Sequence, residues 1–203
     1  MKQTIITSGM FLKYALVILV CYYGIRYRKY IISRDYINLK PKLWNFLFAF
    51  YGCVIVCFTL LPITYPAMNP SGFEYNLDVS EMLLIFVKRG AIITYADNVL
   101  LFLPLTVLAY CSEYKFFRDI KWATIFSLLC SLSIELLQGV EAYARVLEDT
   151  MPVCDINDVI CNTIGGILGF LLIYFYKREH NTDNKARQNS PKTIEKIPSR
   201  YYN

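Results

Sequence analysis

With 203 residues, 56% of them hydrophobic and only 18% charged, the chain is too apolar for a soluble domain of its size, and the excess arrives in blocks rather than as a dispersed core. The net charge of +5 sits in short basic strings beside apolar runs, not on a face interleaved with aromatics, which argues against nucleic acid as a partner. Seven cysteines with no CxxC pair and no histidine partner argue against a zinc site or a disulfide framework.

The hydrocarbon core of a bilayer needs roughly 20 apolar residues per helix, and five segments answer to that. The first, about Gly9–Ile25, contains Lys13 and is followed by Arg26-Tyr-Arg28-Lys29 with no small-residue cleavage site, so it is expected to anchor rather than to be removed. The second runs about Leu43–Ile63 and is closed by Pro62 and Pro66. A short apolar run from Leu77 to Lys88, headed by Asp78 and Glu81, reads as an interfacial helix. The third span runs about Ile92–Cys111 with Pro104 inside it, where the missing N–H should free the carbonyl of Leu100. The fourth runs about Ile120–Val140 and the fifth about Asp158–Tyr176. Five of the cysteines fall inside these spans, and Cys154 is the one expected in an exposed loop. His180 falls in the polar stretch after the fifth span and has no evident role.

The connecting segments orient the bundle. Arg26, Arg28, Lys29, Arg34, Lys40 and Lys42 lie between the first two spans, Lys115, Arg118 and Lys121 between the third and fourth, and Lys177-Arg178 after the fifth. The positive-inside rule places all three on the cytoplasmic side. The expected architecture is therefore an all-α, multi-pass bundle of about five transmembrane helices in the plasma membrane, with the N-terminus outside and the C-terminus cytoplasmic. Residues 1–42 form the first helix and basic loop, 43–177 the main bundle, and 178–203 a polar tail expected to be disordered. No internal repeat is visible.

Polar residues inside spans carry the functional signal. A carboxylate at a helix centre costs about 2.5–3.5 kcal/mol on insertion scales, so a chain with several of them pairs them, wets them or uses them. Asp97 and Asn98 fall in the outer third of the third span, Glu135 and Gln138 near the outer end of the fourth, and Asp155, Asp158 and Asn162 at the outer start of the fifth. Ser127, Ser131, Glu135 and Gln138 share one face of their helix, as do Asp158, Asn162, Gly165 and Gly169. Gly165-x-x-x-Gly169 lets a neighbouring helix approach closely. The simplest packing brings the two stripes together round a polar cavity open to the exterior.

Asp97, Asn98, Glu135, Gln138, Asp155, Asp158 and Asn162 are thus the candidate ligand-binding residues, and Glu135 and Asp158 the candidate acid or base groups. The carboxylates could hold a divalent cation through oxygen ligands, although no metal or other cofactor motif is present. A structural reading stands beside these: Asp155 serves well as a helix cap, and the remaining groups could hydrogen-bond one another simply to hold the bundle.

These strings are also where the chain resembles the VanZ-like family of bacterial membrane proteins: Asp97-Asn98 followed by Phe102-x-Pro104, then Glu135-x-x-Gln138, then Asp155-x-x-Asp158, Asn162 and Gly165-Gly166. The resemblance covers about Asp97 to Gly169. It implies a compact helical bundle with polar residues near the extracellular face and an association with low-level resistance to teicoplanin, a lipid-tailed glycopeptide. An arginine is frequent in that family between the second and third elements, usually nearer the aspartates, whereas Arg145 is separated from Asp155 here by Val-Leu-Glu-Asp-Thr-Met-Pro-Val-Cys. Three functions are consistent with the sequence: a protein that lowers lipoglycopeptide susceptibility by binding the drug, a membrane lipid or a cell-wall lipid precursor; a membrane-embedded enzyme acting on an envelope lipid through a carboxylate; or a structural or partner-binding subunit.

Overall fold

The computed structural model describes residues 3–61, 63–65, 75–80, 89–144 and 154–189. Five helices account for most of them: α1 (Ser8–Ile32), α2 (Tyr36–Thr59), α3 (Arg89–Cys111), α4 (Ile120–Ala144) and α5 (Ile156–Asn189). Among the described residues four of these, α1, α2, α4 and α5, are long and apolar enough to cross a membrane, while the apolar stretch of α3 is the shorter Tyr95–Cys111. The all-α, multi-pass architecture expected from the sequence is the one observed.

Two short ribbons, which the apolar pattern did not foreshadow, lie at one end. Strand β1 (Gln3–Ile6) pairs antiparallel with β2 (Ile63–Tyr65), and β3 (Tyr75–Asn76) pairs parallel with β4 (Cys154–Asp155). The second pairing sets Asn76 beside Asp155 and so brings the segment before α3 onto the start of α5. The interfacial helix expected over 77–88 falls largely outside the described residues, as do Pro62, Pro66 and Arg145.

Local chemistry sets the helix ends. Thr7 caps α1 by accepting the N–H of Met10, and Asp35 caps α2 by accepting that of Asn38. Between them the chain reverses in a Schellman turn: Arg34 sits at φ 53°, the N–H of Asp35 donates to Tyr30 O at 3.0 Å and that of Arg34 to Ile31 O at 3.3 Å. With no glycine available there, an arginine takes the left-handed position, at a cost of about 1–2 kcal/mol.

Helix α1 therefore runs on through Arg26, Arg28 and Lys29, well past the apolar segment that ended at Ile25. At the far end of the chain α5 continues to Asn189, beyond the Lys177-Arg178 pair where a disordered tail was expected to begin. Its Lys, Arg, Glu and Gln residues favour helix, and no breaker intervenes before Pro191. Residues 190–203 lie outside the described set.

The core is small and lies among α2, α3 and α4, where Ile55, Phe102, Leu105 and Ile134 pack with Phe48, Phe126 and Cys130 around them. Phe117 and Phe126, with ring centroids 4.8 Å apart, extend it toward the turn between α3 and α4. Pro104 leaves α3 with spare carbonyl capacity, and the hydroxyl of Tyr51 donates to Leu101 O at 3.0 Å, one residue beyond the carbonyl the sequence pointed to. Helix α1 has no buried residue and packs chiefly on α2 at the periphery.

Helices α3 and α5 run parallel and form the tightest contact. A Cβ on Gly165 would overlap the carbonyl of Val99, and one on Gly169 the carbonyl of Leu103. Thr106 seals the seam by donating to Gly166 O at 2.8 Å. Helix α4 packs antiparallel against the other side of this stripe, where Ser127 occupies the space a Gly166 side chain would need. The three glycines, with Ser127 opposite Gly166, are what allow three helices to meet at one line.

The opposite end of the bundle, where the basic segments gather, has its own lock. Asn45, buried inside α2, donates from Nδ2 to Glu113 Oε2 at 2.7 Å and accepts the N–H of Glu113 at 2.9 Å, while Lys42 Nζ lies 2.5 Å from Glu113 Oε1. Asn45→Leu keeps the branched shape but leaves a backbone N–H and a carboxylate oxygen short of a partner. It is expected to lower stability by about 1–3 kcal/mol, measurable as an earlier thermal transition in detergent.

Candidate functional site

The site is assembled from α3, α4, the β3–β4 ribbon and the first turns of α5. Its organising residue is Asp155, at the last position of β4. Asp155 Oδ1 accepts the backbone N–H of Asn157 at 2.8 Å and Asn157 Nδ2 at 2.9 Å, and its Oδ2 accepts Asn76 Nδ2 at 3.2 Å. This is the capping role that its place before α5 suggests. The N–H of Asp155 in turn donates to Glu135 Oε2 at 2.9 Å. Glu135 is only 2% exposed, so α4 delivers a carboxylate into the interior and α5's starting backbone meets it.

One turn along, Asp158 Oδ1 accepts Asn98 Nδ2 at 2.6 Å, joining α5 to α3. Deeper still, Asn162 Nδ2 donates to Ser131 Oγ at 2.9 Å, joining α5 to α4. Gln138 reaches the other way: its Nε2 donates to Thr59 O at 2.9 Å, supplying a partner for a carbonyl at the C-terminus of α2 that has no partner within the helix. The two polar stripes read from the sequence are thus both turned inward, and they meet.

Five of the seven sequence-predicted residues, Asn98, Glu135, Asp155, Asp158 and Asn162, enter this inward-facing group through three separate pairs, Asn98–Asp158, Glu135–Asp155 and Asn162–Ser131. Gln138 stands beside it and ties α4 to α2. Asp97 is exposed and makes no hydrogen bond with the described residues. Gly165, Gly166 and Gly169 are packing residues, as their spacing suggested. Cys154 is half-buried in β4 rather than free in a loop; burial pushes its thiol up, and the nearby Glu135 and Asp155 carboxylates push in the same direction. Ser80 holds the Asp78 carboxyl below its usual range by a hydrogen bond.

Sequence reasoning passed over two contributors and left the role of a third open. Asn157, fully buried, donates to both Asp155 and the carbonyl of Asp78; its position two residues after an aspartate is the spacing of an Asx turn, a signal that was present. Asn76 arrives only because β3 pairs with β4. Ser131, noted for its helix face, proves to be the partner of Asn162.

The group is lopsided in two respects. Glu135, Asp155 and Asp158 are three carboxylates in one corner, and none is ion-paired with a Lys or Arg among the described residues. The side-chain amides of Asn98, Asn157 and Asn162 each donate within the group, while Asn157 Oδ1 and Asn162 Oδ1 are buried with no hydrogen-bond partner. Those two oxygens leave buried acceptor capacity uncommitted. Among the described residues no three His, Cys, Asp or Glu side chains are arranged to hold a metal ion.

Comparison with known proteins agrees with the motif pattern. The family model described as VanZ/LLP1 matches residues 48–177, from the middle of α2 to the polar end of the α5 span. A relative, Protein VanZ of Enterococcus faecium, is 30% identical over 141 residues, covering 68% of this chain and 78% of its own. No solved structure matches the chain. The matched region takes in every member of the buried polar group together with the glycine seam that supports it, in a multi-pass plasma-membrane protein. The chain belongs to the VanZ/LLP1 family.

Proposed function

We propose that the protein acts at the outer face of the plasma membrane, where it lowers susceptibility to lipoglycopeptides of the teicoplanin type by engaging a cationic, N–H-donating group of an envelope lipid or of the drug at the Glu135–Asp155–Asp158–Asn162 corner. The observation that carries this reading is the imbalance just described: three carboxylates and two buried amide oxygens, with no cation paired to them among the described residues. Such a site favours a partner that brings positive charge and hydrogen-bond donors, because an unneutralised buried carboxylate is costly. Asp97, exposed on α3 one residue before Asn98, would meet that partner first. The basic segments at the far end of the bundle support an outward position for this corner.

A second reading is favoured by the hydrogen bonds themselves. Asn98–Asp158, Asn162–Ser131 and Gln138–Thr59 each join two helices, so the group could act as an internal brace for a partner-binding subunit. The two readings separate in a susceptibility comparison. In a Gram-positive host lacking the gene, expression is expected to raise tolerance to teicoplanin and leave tolerance to vancomycin, which lacks the lipid tail, nearly unchanged. Equal response to both drugs, with and without the protein, removes the resistance reading.

A further inference from the structure

Between α1 and α2, at the end of the bundle opposite the carboxylate corner, lies a groove of about 560 Å³. Its floor and walls are apolar or aromatic, with Val20, Tyr23, Leu43 and Phe46 among them, and Lys40 and Lys42 stand at its mouth. We infer that this groove is a binding site for one anionic phospholipid of the adjacent leaflet, with an acyl chain between the helices and the phosphate on the basic rim.

Three independent features point to that occupant. The first is charge. Lys42 Nζ lies 5.1 Å from the Tyr27 ring centroid and 4.9 Å from that of Tyr30, Lys29 Nζ lies 4.8 Å from Tyr30, and the Arg26 guanidinium lies 5.9 Å from Tyr27. Lys40 and Lys42 line the groove itself, and Lys29 and Arg26 lie against the tyrosines beside it. Lys42 is paired with Glu113, and Asp35 caps α2, so the surplus charge rests on Lys40, Lys29 and Arg26, none of which is ion-paired with a carboxylate among the described residues. Surplus positive charge beside an apolar slot complements a phosphodiester with attached chains, and a zwitterionic headgroup satisfies it less well.

The second feature is depth. The lining of α1 runs from Val20, inside the apolar span, to Ile31, beyond the Arg26-Tyr-Arg28-Lys29 string, about 16 Å at helical rise, so the groove passes from the hydrocarbon edge into the headgroup layer. The third is the run of Tyr22, Tyr23, Tyr27, Tyr30 and Tyr36 along the same stretch, the residue type that settles in the interfacial layer. Gly24 leaves room in the wall, since a Cβ there would meet nothing within 4 Å.

Full-length protein purified in a mild detergent and titrated with dioleoyl-phosphatidylglycerol or dioleoyl-phosphatidylcholine, followed by native mass spectrometry, tests the assignment. Wild type is expected to hold one phosphatidylglycerol in preference to phosphatidylcholine. Lys40→Ala should weaken phosphatidylglycerol about fivefold, the effect of one basic residue at an anionic surface, and leave phosphatidylcholine unchanged. Gly24→Leu should weaken both lipids by filling the groove, without disturbing the helix content. Equal retention of the two lipids by wild type overturns the proposal, as does unchanged phosphatidylglycerol binding in Lys40→Ala. Should Gly24→Leu fail to fold, the Lys40→Ala comparison decides alone. None of these residues belongs to the carboxylate corner, so the result is independent of drug susceptibility.

Discussion

Gly165→Ala is expected to be among the most damaging single substitutions in the chain, lowering the thermal transition of the detergent-solubilised protein by the equivalent of about 1–3 kcal/mol. The added methyl group would overlap the carbonyl oxygen of Val99, with the carbonyl carbon and Cα at 2.9 Å. A backbone cannot rotate out of the way as a side chain can, so α3 and α5 must separate. Separation also strains the Asn98–Asp158 hydrogen bond about two turns earlier on α5, so the carboxylate corner should loosen with it.

Gly166→Ala provides the control. Its Cβ would meet the side chain of Ser127, whose Cβ is 2.6 Å away, and then Thr106 Cγ2 at 3.3 Å. Ser127→Gly should therefore recover part of the stability lost in Gly166→Ala, whereas no side-chain change should recover Gly165→Ala. Rescue of both, or of neither, would mean that the α3–α5 seam is not as close as described.

Glu135→Gln is expected to abolish protection against teicoplanin while leaving the protein nearly as stable as wild type. The amide oxygen of glutamine can still accept the N–H of Asp155, so the start of α5 keeps its anchor and only the negative charge is lost. Glu135→Ala should differ: it leaves the Asp155 N–H without an acceptor in a buried setting and is expected to cost about 1–3 kcal/mol. Measured together, thermal stability and susceptibility split the two roles of this carboxylate. If Glu135→Gln protects as well as wild type and only the alanine variant fails, the charge is dispensable and the group is a brace.

Much of the candidate site was legible before any coordinates because the bilayer penalises polar side chains so heavily. Glu135, Asp158 and Asn162 stood out as costly residues in apolar runs, and a 3.6-residue repeat fixed which neighbours shared their faces. The seam was legible for a similar reason, since small residues four apart have few other uses in a lipid-facing helix. Asp97 shows the limit of that reasoning. It is adjacent to Asn98 in sequence, yet about 100° away round the helix, and its side chain points out of the group that Asn98 joins. Asn45 was passed over because a lone asparagine near the basic end of a span looks no different from a solvated one until Glu113 arrives beside it.

The chain by itself determined the number of helices, their polar stripes, the glycines that let them meet and the family to which it belongs, because hydrophobic length and helical period are local properties of sequence. Only the tertiary structure decided that α3 runs parallel to α5 with α4 closing the other side, that a parallel pair of strands carries Asn76 to Asp155, and that Asn157 rather than Asp97 completes the buried group. Those are pairings between residues some 60 to 80 positions apart. Nothing in a local pattern encodes such pairings, since each depends on which backbone carbonyls and N–H groups the packing of glycine, serine and threonine along the α3–α4–α5 line brings within reach.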